Sequence, residues 1–328
     1  DLIPDPFWRD QALECQWVEQ WDWSYSCDFF LDEGIDLNWA VLEFGGIDTF
    51  ATIILNGHTI GQTANMFIPH RLEATPYLRH GKNSLEVKII AQSKAIAGKP
   101  VERYFSCFAS DRVYSRTMQC SFGWDWVYRF VGAGLWRPVR LFVYGPCRIV
   151  DSFIHTEAIS DTAAQLQIRI ESEKKADVPL FLTMEICDPE NQMIWSKEVA
   201  LSSPIYETCA DLLCAPRLWW PNGHGDQPLY TCRVTLRSAD GNLQDQQSTC
   251  FGIRVVFIDQ TPDETGSSFT VYVNGQRIFC KGANWVPADP FPGRISAEKY
   301  ERLIRLAHDA HFNMLRAWGG GIYEPEEF

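Results

Sequence analysis

The sequence predicts a mainly β chain, two successive β-sandwiches followed by the opening of a strand–helix–strand unit. Three observations carry this. Short β-branched and aromatic runs recur at sandwich spacing through residues 1–145, and a second block of alternating runs fills 146–256. From 257 to 328 a hairpin, an amphipathic helix and a further strand follow one another.

In the first block, Trp21 to Leu31, Trp39 to Phe44, Thr49 to Leu55, Ser84 to Ile90 and Trp136 to Tyr144 read as strands. Asn56-Gly57, between Ile53-Ile-Leu and His-Thr-Ile60, supplies the two positive φ angles of a type I′ hairpin turn. A jelly roll or a similar sandwich is the expected architecture. Regular alternation is lost between Ala91 and Arg116, which marks an excursion from the sandwich.

The second block alternates at Leu166 to Ile170, Leu180 to Ile186 and Tyr230 to Leu236, with a turn at Asp240-Gly241, and reads as an immunoglobulin-like sandwich. Trp219 and Trp220 precede one of its later strands and are expected to pack rather than to bind. In the third block Asn274-Gly275 closes a second hairpin. Ser296 caps a helix with Glu298 in its first turn, and Tyr300, Leu303, Ile304 and Ala307 share one helix face. The helix is expected to end near Phe312, and Asn313 to Trp318 then reads as a buried strand running into Gly319-Gly-Gly321. Such a unit opens either a parallel barrel or a doubly wound sheet.

A net charge of −13 with no basic run excludes binding to a phosphate backbone, so no nucleic acid partner is expected. No apolar run approaches the ~18 residues of a membrane span, and no membrane partner is expected. The 11 cysteines include no C-x-x-C pair and are odd in number. They read mainly as free thiols, with a disulfide or two as the alternative; zinc frameworks need tighter spacing. The absence of an Asn-x-Ser/Thr acceptor disfavours a glycosylated secretory protein and fits a bacterial cytoplasmic or periplasmic one.

Chemistry concentrates where strands meet glycine-rich turns. Cys120-Ser-Phe-Gly-Trp124-Asp125-Trp126, Lys281-Gly-Ala-Asn-Trp285 and Leu315-Arg316-Ala-Trp318-Gly-Gly-Gly321 each place aromatic and charged groups at a rigid edge. That combination stacks on and hydrogen-bonds a polyhydroxylated ligand. Trp124 and Trp126 alternate as on one strand face, which leaves sandwich core as the other reading of both. Trp285 and Trp318 have barrel-rim packing as theirs. His308 and His311 stand three apart near a helix end and read as surface residues rather than as metal ligands. Glu324, Glu326 and Glu327 read as carboxylates complementing a helix N-terminus, not as catalytic groups.

These blocks, with Trp136-Arg-Pro-Val139, Leu218-Trp-Trp-Pro-Asn-Gly223, Gln227-Pro-Leu-Tyr230, Asn65-Met-Phe67 and Phe279 to Asp289, resemble the β-mannosidases of glycoside hydrolase family 2 along essentially the whole chain. The resemblance implies a sugar-binding-type jelly roll over 1–145, lacking its N-terminal strand, an immunoglobulin-like sandwich over 146–256, and the first βα units of a TIM barrel, cut short, over 257–328. It implies hydrolysis of terminal non-reducing β-mannosides with retention, by two glutamates on later barrel strands and therefore by no catalytic residue in this chain. It implies substrate contacts for Trp124, Asp125, Arg316, Trp318 and Trp285, with Arg316 beside the nucleophile, β-mannoside oligosaccharides as partners, and no cofactor or metal. The chain departs from the family at Val127-Tyr128, where Gly-Pro is usual, at Gln11-Ala12 and at Ala317. A related exo-glycosidase such as an exo-glucosaminidase, and a non-catalytic carbohydrate-binding remnant, are the competing readings. Without the two glutamates the isolated chain is expected to be inactive, and open edges on two barrel strands would make it prone to aggregate through residues 270–328.

Overall fold

The computed structural model describes residues 3–102, 104, 109–175, 178–213 and 215–328. They fall into two compact units: Asp1–Val143 with Asn284–Arg305 and Arg316–Phe328, and Tyr144–Ala283 with Leu306–Leu315. The segment read as a third block is thus shared between the two.

The first unit opens with a short helix, α1 (Gln11–Glu14), and continues through β1 (Trp23–Leu31), β2 (Ala40–Phe44), β3 (Ile47–Asp48), β4 (Phe50–Leu55), β5 (His58–Ala64), β6 (His70–Glu73) and β7 (Gly81–Ile90). A second short helix, α2 (Gln92–Ile96), precedes β8 (Gly134–Leu135) and β9 (Val139–Val143). One sheet has the order β1-β7-β4-β5, a second β6-β2-β9, and β3 pairs with β8. All these ladders are antiparallel. Alternation decides what is inside. Ala51, Ile53 and Leu55 of β4 and Leu85, Val87 and Ile89 of β7 meet Leu42 and Phe44 of β2 in one buried cluster.

Asn56 and Gly57 have φ of 50° and 82°, as the type I′ turn requires. The asparagine does more than turn the chain. Its amide donates to the Tyr77 carbonyl and to Asn83 Oδ1, both at 2.8 Å, and its own Oδ1 accepts the Ser84 N–H at 2.9 Å. The hairpin is therefore tied to the start of β7, and aspartate could not make the two donor bonds.

The second unit carries β10 (Cys147–Ile159), β11 (Ala164–Lys174), β12 (Leu180–Cys187), β13 (Met193–Ala200), β14 (Ile205–Leu212), β15 (Tyr230–Ser238) and β16 (Leu243–Phe251). They form two antiparallel sheets, β10-β11-β14 and β13-β12-β15-β16. Leu166, Ile168 and Ile170 face Leu182, Met184 and Ile186, all fully buried. Trp219 lies beneath the Arg254 guanidinium, 4.4 Å from its ring centre, and fills the space at Gly252 where a Cβ would come within 2.9 Å of its own.

A small antiparallel sheet follows, of β17 (Val256–Asp259), β18 (Thr270–Val273) and β19 (Gln276–Ile278). Asn274 and Gly275, with φ of 51° and 79°, repeat the design of the first hairpin. Asn274 again clamps a neighbour, donating to the Trp219 carbonyl at 3.0 Å and accepting the Val255 N–H at 3.0 Å.

The chain then runs through β20 (Gly282–Trp285), α3 (Ala297–Asp309) and β21 (Met314–Ala317). Ser296 caps α3 as predicted, its hydroxyl accepting the Lys299 N–H at 3.3 Å. Tyr300 is its buried residue. The helix stops three residues before the expected Phe312, because His311 turns left-handed at φ 59° and the Phe312 N–H reaches back to the Ala307 carbonyl at 2.9 Å while His311 N–H bonds that of His308. This is a Schellman stop with histidine in the position glycine usually takes. β20 and β21 pair with each other. Bonds from Met314 N–H to the Lys281 carbonyl and from Trp318 N–H to that of Trp285 advance four residues in the same direction on both strands, so the pair is parallel. The nine described cysteines are free; Cys107 and Cys214 lie outside the described residues. Among the described residues no helix is long and apolar enough to cross a membrane.

Candidate functional site

Trp124 to Val127 is a tight turn, not the strand that alternation suggested. A 3-10 turn over Gln119–Phe122 ends at Gly123, whose φ of 95° redirects the chain. Trp124 N–H then bonds the Val127 carbonyl at 3.0 Å and Val127 N–H returns to that of Trp124 at 3.4 Å. Asp125 and Trp126 occupy the tip, both exposed, Trp126 at 43%. The turn uses only backbone atoms of residue 127, so valine in place of the family's glycine leaves the bonding intact. Its side chain joins the packing instead.

The two tryptophans of the turn meet a third from a distant segment. Trp124 and Trp318 stand edge to face, 5.1 Å apart at 66°, and Trp126 and Trp318 do so at 5.9 Å and 74°. The Arg112 guanidinium covers the Trp124 ring at 4.8 Å. Beneath lie Met66, Met118, Cys120 and Ile322, and burial pushes the Cys120 thiol up to about 12. The glycine run is what lets the segments approach. A Cβ on Gly320 would fall 2.1 Å from the Trp318 ring, and one on Gly321 2.8 Å from Pro287. The Gly320 carbonyl also accepts the Cys120 N–H at 3.0 Å, which ties the run to the turn. Trp126, for which sandwich core is the other sequence reading, is exposed and part of this indole cluster.

The parallel strand pair sorts the remaining residues by face. Arg316 Nη1 donates to Asn284 Oδ1 at 3.1 Å, so these two exposed side chains share one face of the strand pair. Trp285 points the other way. Its indole N–H donates to Glu324 Oε1 at 2.8 Å, and its ring stacks 6.4 Å from Tyr300 of α3 and lies tilted 4.8 Å from Phe328. The Tyr300 hydroxyl donates to the other oxygen of Glu324, and burial together with that carboxylate pushes the phenol well above its ordinary range. The structure thus brings Trp124 and Trp318 together beside the exposed Asp125 of the turn, and pairs Arg316 with Asn284. It holds Trp285 on the opposite face.

Glu324 departs from its sequence reading. Among the described residues no helix begins at Glu324, and its carboxylate is committed to Trp285 and Tyr300. Of the two histidines considered as ligands, His308 lies 3.2 Å from the Asp309 carboxylate and His311 is the left-handed residue of the helix stop. Among the described residues no group of three or more His, Cys, Asp or Glu is placed to hold a metal.

A separate cavity of about 290 Å³ lies in the first unit, lined by Met66, Met118, Ser121, Phe130 and Trp136 among others, with Asp48 in its wall. Asp48 accepts hydrogen bonds from Thr117 at 2.7 Å, Gln92 at 3.0 Å and Thr49. Burial outweighs them and raises its carboxyl to about 6. None of the residues predicted to contact sugar lines this cavity.

Residues 1–137 match the family described as glycosyl hydrolase 2 galactose-binding domain-like, and residues 147–254 match glycosyl hydrolases family 2. The chain is 37% identical over 340 residues to Beta-mannosidase B of Thermothelomyces thermophilus, covering 100% of this chain and 39% of the relative. To Beta-mannosidase B of Emericella nidulans it is 33% identical over 334 residues, 99% of this chain and 39% of that one. The chain therefore spans about 39% of the length of these curated relatives. Among solved structures, the β-D-mannosidase of Dictyoglomus thermophilum superposes with a TM-score of 0.91 at 36% identity, over 100% of this chain and 41% of that one. A β-glucuronidase of Bacteroides uniformis, at 20% identity and a TM-score of 0.68 over 92% of this chain and 34% of its own, shares the fold.

Proposed function

The chain belongs to glycoside hydrolase family 2, and we propose that it is the N-terminal part of a retaining exo-β-mannosidase that removes terminal non-reducing β-D-mannose from oligosaccharides. The observation that carries the reading is the convergence of three indoles, Trp124, Trp126 and Trp318, on an exposed turn that also presents the Asp125 carboxylate. Aromatic walls with a carboxylate at their edge suit a pyranose, whose C–H faces stack while its hydroxyls donate to the acid.

In this reading 1–145 is the jelly roll, 146–256 the immunoglobulin-like domain and 257–328 the first part of a TIM barrel, with β20 and β21 as its first two strands. Arg316 at the carboxyl end of β21 faces the barrel mouth, where a guanidinium holds a nearby carboxylate ionised. Trp285, on the opposite face, supports the rim through Glu324 and Tyr300. The nucleophile and the acid–base residue are two glutamates beyond residue 328, ~5 to 5.5 Å apart as retention requires, and residues 1–328 alone are inactive.

The test is hydrolysis of a panel of aryl β-glycosides by the intact gene product and by residues 1–328. Turnover of the β-mannoside by the intact protein only, with an anomeric configuration retained in the first-formed product, is the expected result. Turnover of a glucosaminide with none of the mannoside would overturn the substrate assignment. Activity in residues 1–328 would overturn the placement of the glutamates.

A further inference from the structure

We propose that Asn284, a residue to which the sequence pattern draws no attention, is the positioning residue of the first barrel strand and sets the plane of the Arg316 guanidinium. The proposal rests on the reading of Arg316 as the cation beside the nucleophile.

Successive residues of a strand point to opposite faces. Trp285 is held on one face of β20 by Glu324, Tyr300 and Phe328, so its neighbour Asn284 takes the other. There its Oδ1 accepts from Arg316 Nη1 at 3.1 Å, and both side chains are exposed on that face. Both strands are also locked behind the pair, because Trp318 N–H bonds the Trp285 carbonyl at 2.9 Å. The anchor for the arginine is therefore a short side chain with two χ angles on a fixed backbone.

A guanidinium offers five N–H donors in one plane. With Nη1 directed at Asn284, the Nη2 and Nε edge is left to face a carboxylate, and its two parallel donors suit a bidentate pair. Asparagine suits the task because it is neutral. An aspartate would hold the arginine as firmly but cancel the positive charge a nucleophilic carboxylate needs beside it. The large aromatic at 285 and the small amide at 284 thus divide the work, the first fixing strand to helix and the second fixing the arginine.

The test is the Asn284→Ala variant, read in two ways. A crystal structure of the variant in the intact gene product compares the guanidinium plane with that of the parent, whether or not any glycoside is turned over. In the intact gene product, the pH profile of kcat/KM on an aryl β-mannoside gives the second readout. The expected results are a rotated guanidinium, a fall of about 10- to 100-fold in kcat/KM, and an acidic limb moved to higher pH, with thermal stability little changed. An unmoved guanidinium overturns the positioning role. A rotated guanidinium with an unmoved acidic limb overturns its link to the nucleophile. If the parent turns over no β-mannoside, the functional reading fails while the structural comparison still decides the positioning role.

Discussion

Asp48 gives the first unit a pH dependence that can be worked out from its surroundings. In an unfolded chain its carboxyl would titrate near 3.8, whereas in the fold burial raises it to about 6. A folded pKa above the unfolded one means the group stabilises the fold fully below ~3.8, and that contribution is lost as pH rises through about 6. A shift of roughly two units corresponds to about 3 kcal/mol, of which about 2 kcal/mol falls between pH 4 and pH 7. The perturbation is Asp48→Asn, which retains an oxygen to accept from Thr117, Gln92 and Thr49 and cannot ionise. Amide hydrogen exchange of peptides covering β4 and β7 reports the opening free energy of this unit in both proteins at both pH values. All other titrating groups are common to the pair and cancel in the difference. The parent should lose about 2 kcal/mol of protection relative to the variant on going from pH 4 to pH 7. Parallel pH profiles in the two proteins would refute the argument and mean that the Thr117, Gln92 and Thr49 bonds offset the burial of the charge.

Gly320→Ala must displace the Trp318 ring, 2.1 Å from the new Cβ, and should cost roughly 1–3 kcal/mol in thermal unfolding while exposing the indole to quenching by acrylamide. Gly319→Ala, with open space at its Cβ, should leave both readouts near those of the parent. Asn274→Asp removes the amide donor to the Trp219 carbonyl and should destabilise the second hairpin by about 1–2 kcal/mol, read as faster exchange in β18 and β19. Trp285→Phe leaves a carboxylate oxygen of Glu324 without its indole donor; a loss of roughly 1–3 kcal/mol in thermal unfolding is expected, and an unchanged midpoint would show that water replaces the donor without cost.

Much of the molecule is legible in its residues. The strands of both sandwiches follow from alternation, because a sheet with one buried face forces apolar residues to every second position. The asparagine–glycine hairpins follow from φ > 0 at both turn positions. The Ser296 cap and the Tyr300 face of α3 follow from spacing along the helix. Each of these is a rule about neighbours a few residues apart. Trp124 to Trp126 shows where such rules stop. The same alternation fits a strand and a two-residue turn, and the backbone bonds closing at Val127 decide for the turn.

What only the tertiary structure decided concerns partners far apart in the chain. Composition could not say that Asp48 loses its water and keeps its proton to about 6, since burial belongs to the packing around it. Nor could it say that Glu324 is claimed by Trp285 and Tyr300 rather than by a helix end. The Lys281-Gly-Ala-Asn-Trp285 stretch drew attention to its tryptophan, the larger group and the stronger signal. Which face of β20 looks toward α3 depends on the parallel pairing with β21 and on the helix behind it, and that choice turns Trp285 inward and leaves Asn284 beside Arg316. The sequence by itself determined the elements, their order and the family, because these rest on local periodicity and on motifs that read continuously. The tertiary structure alone decided which side chains meet, because a strand's two faces are equivalent until something packs against one of them.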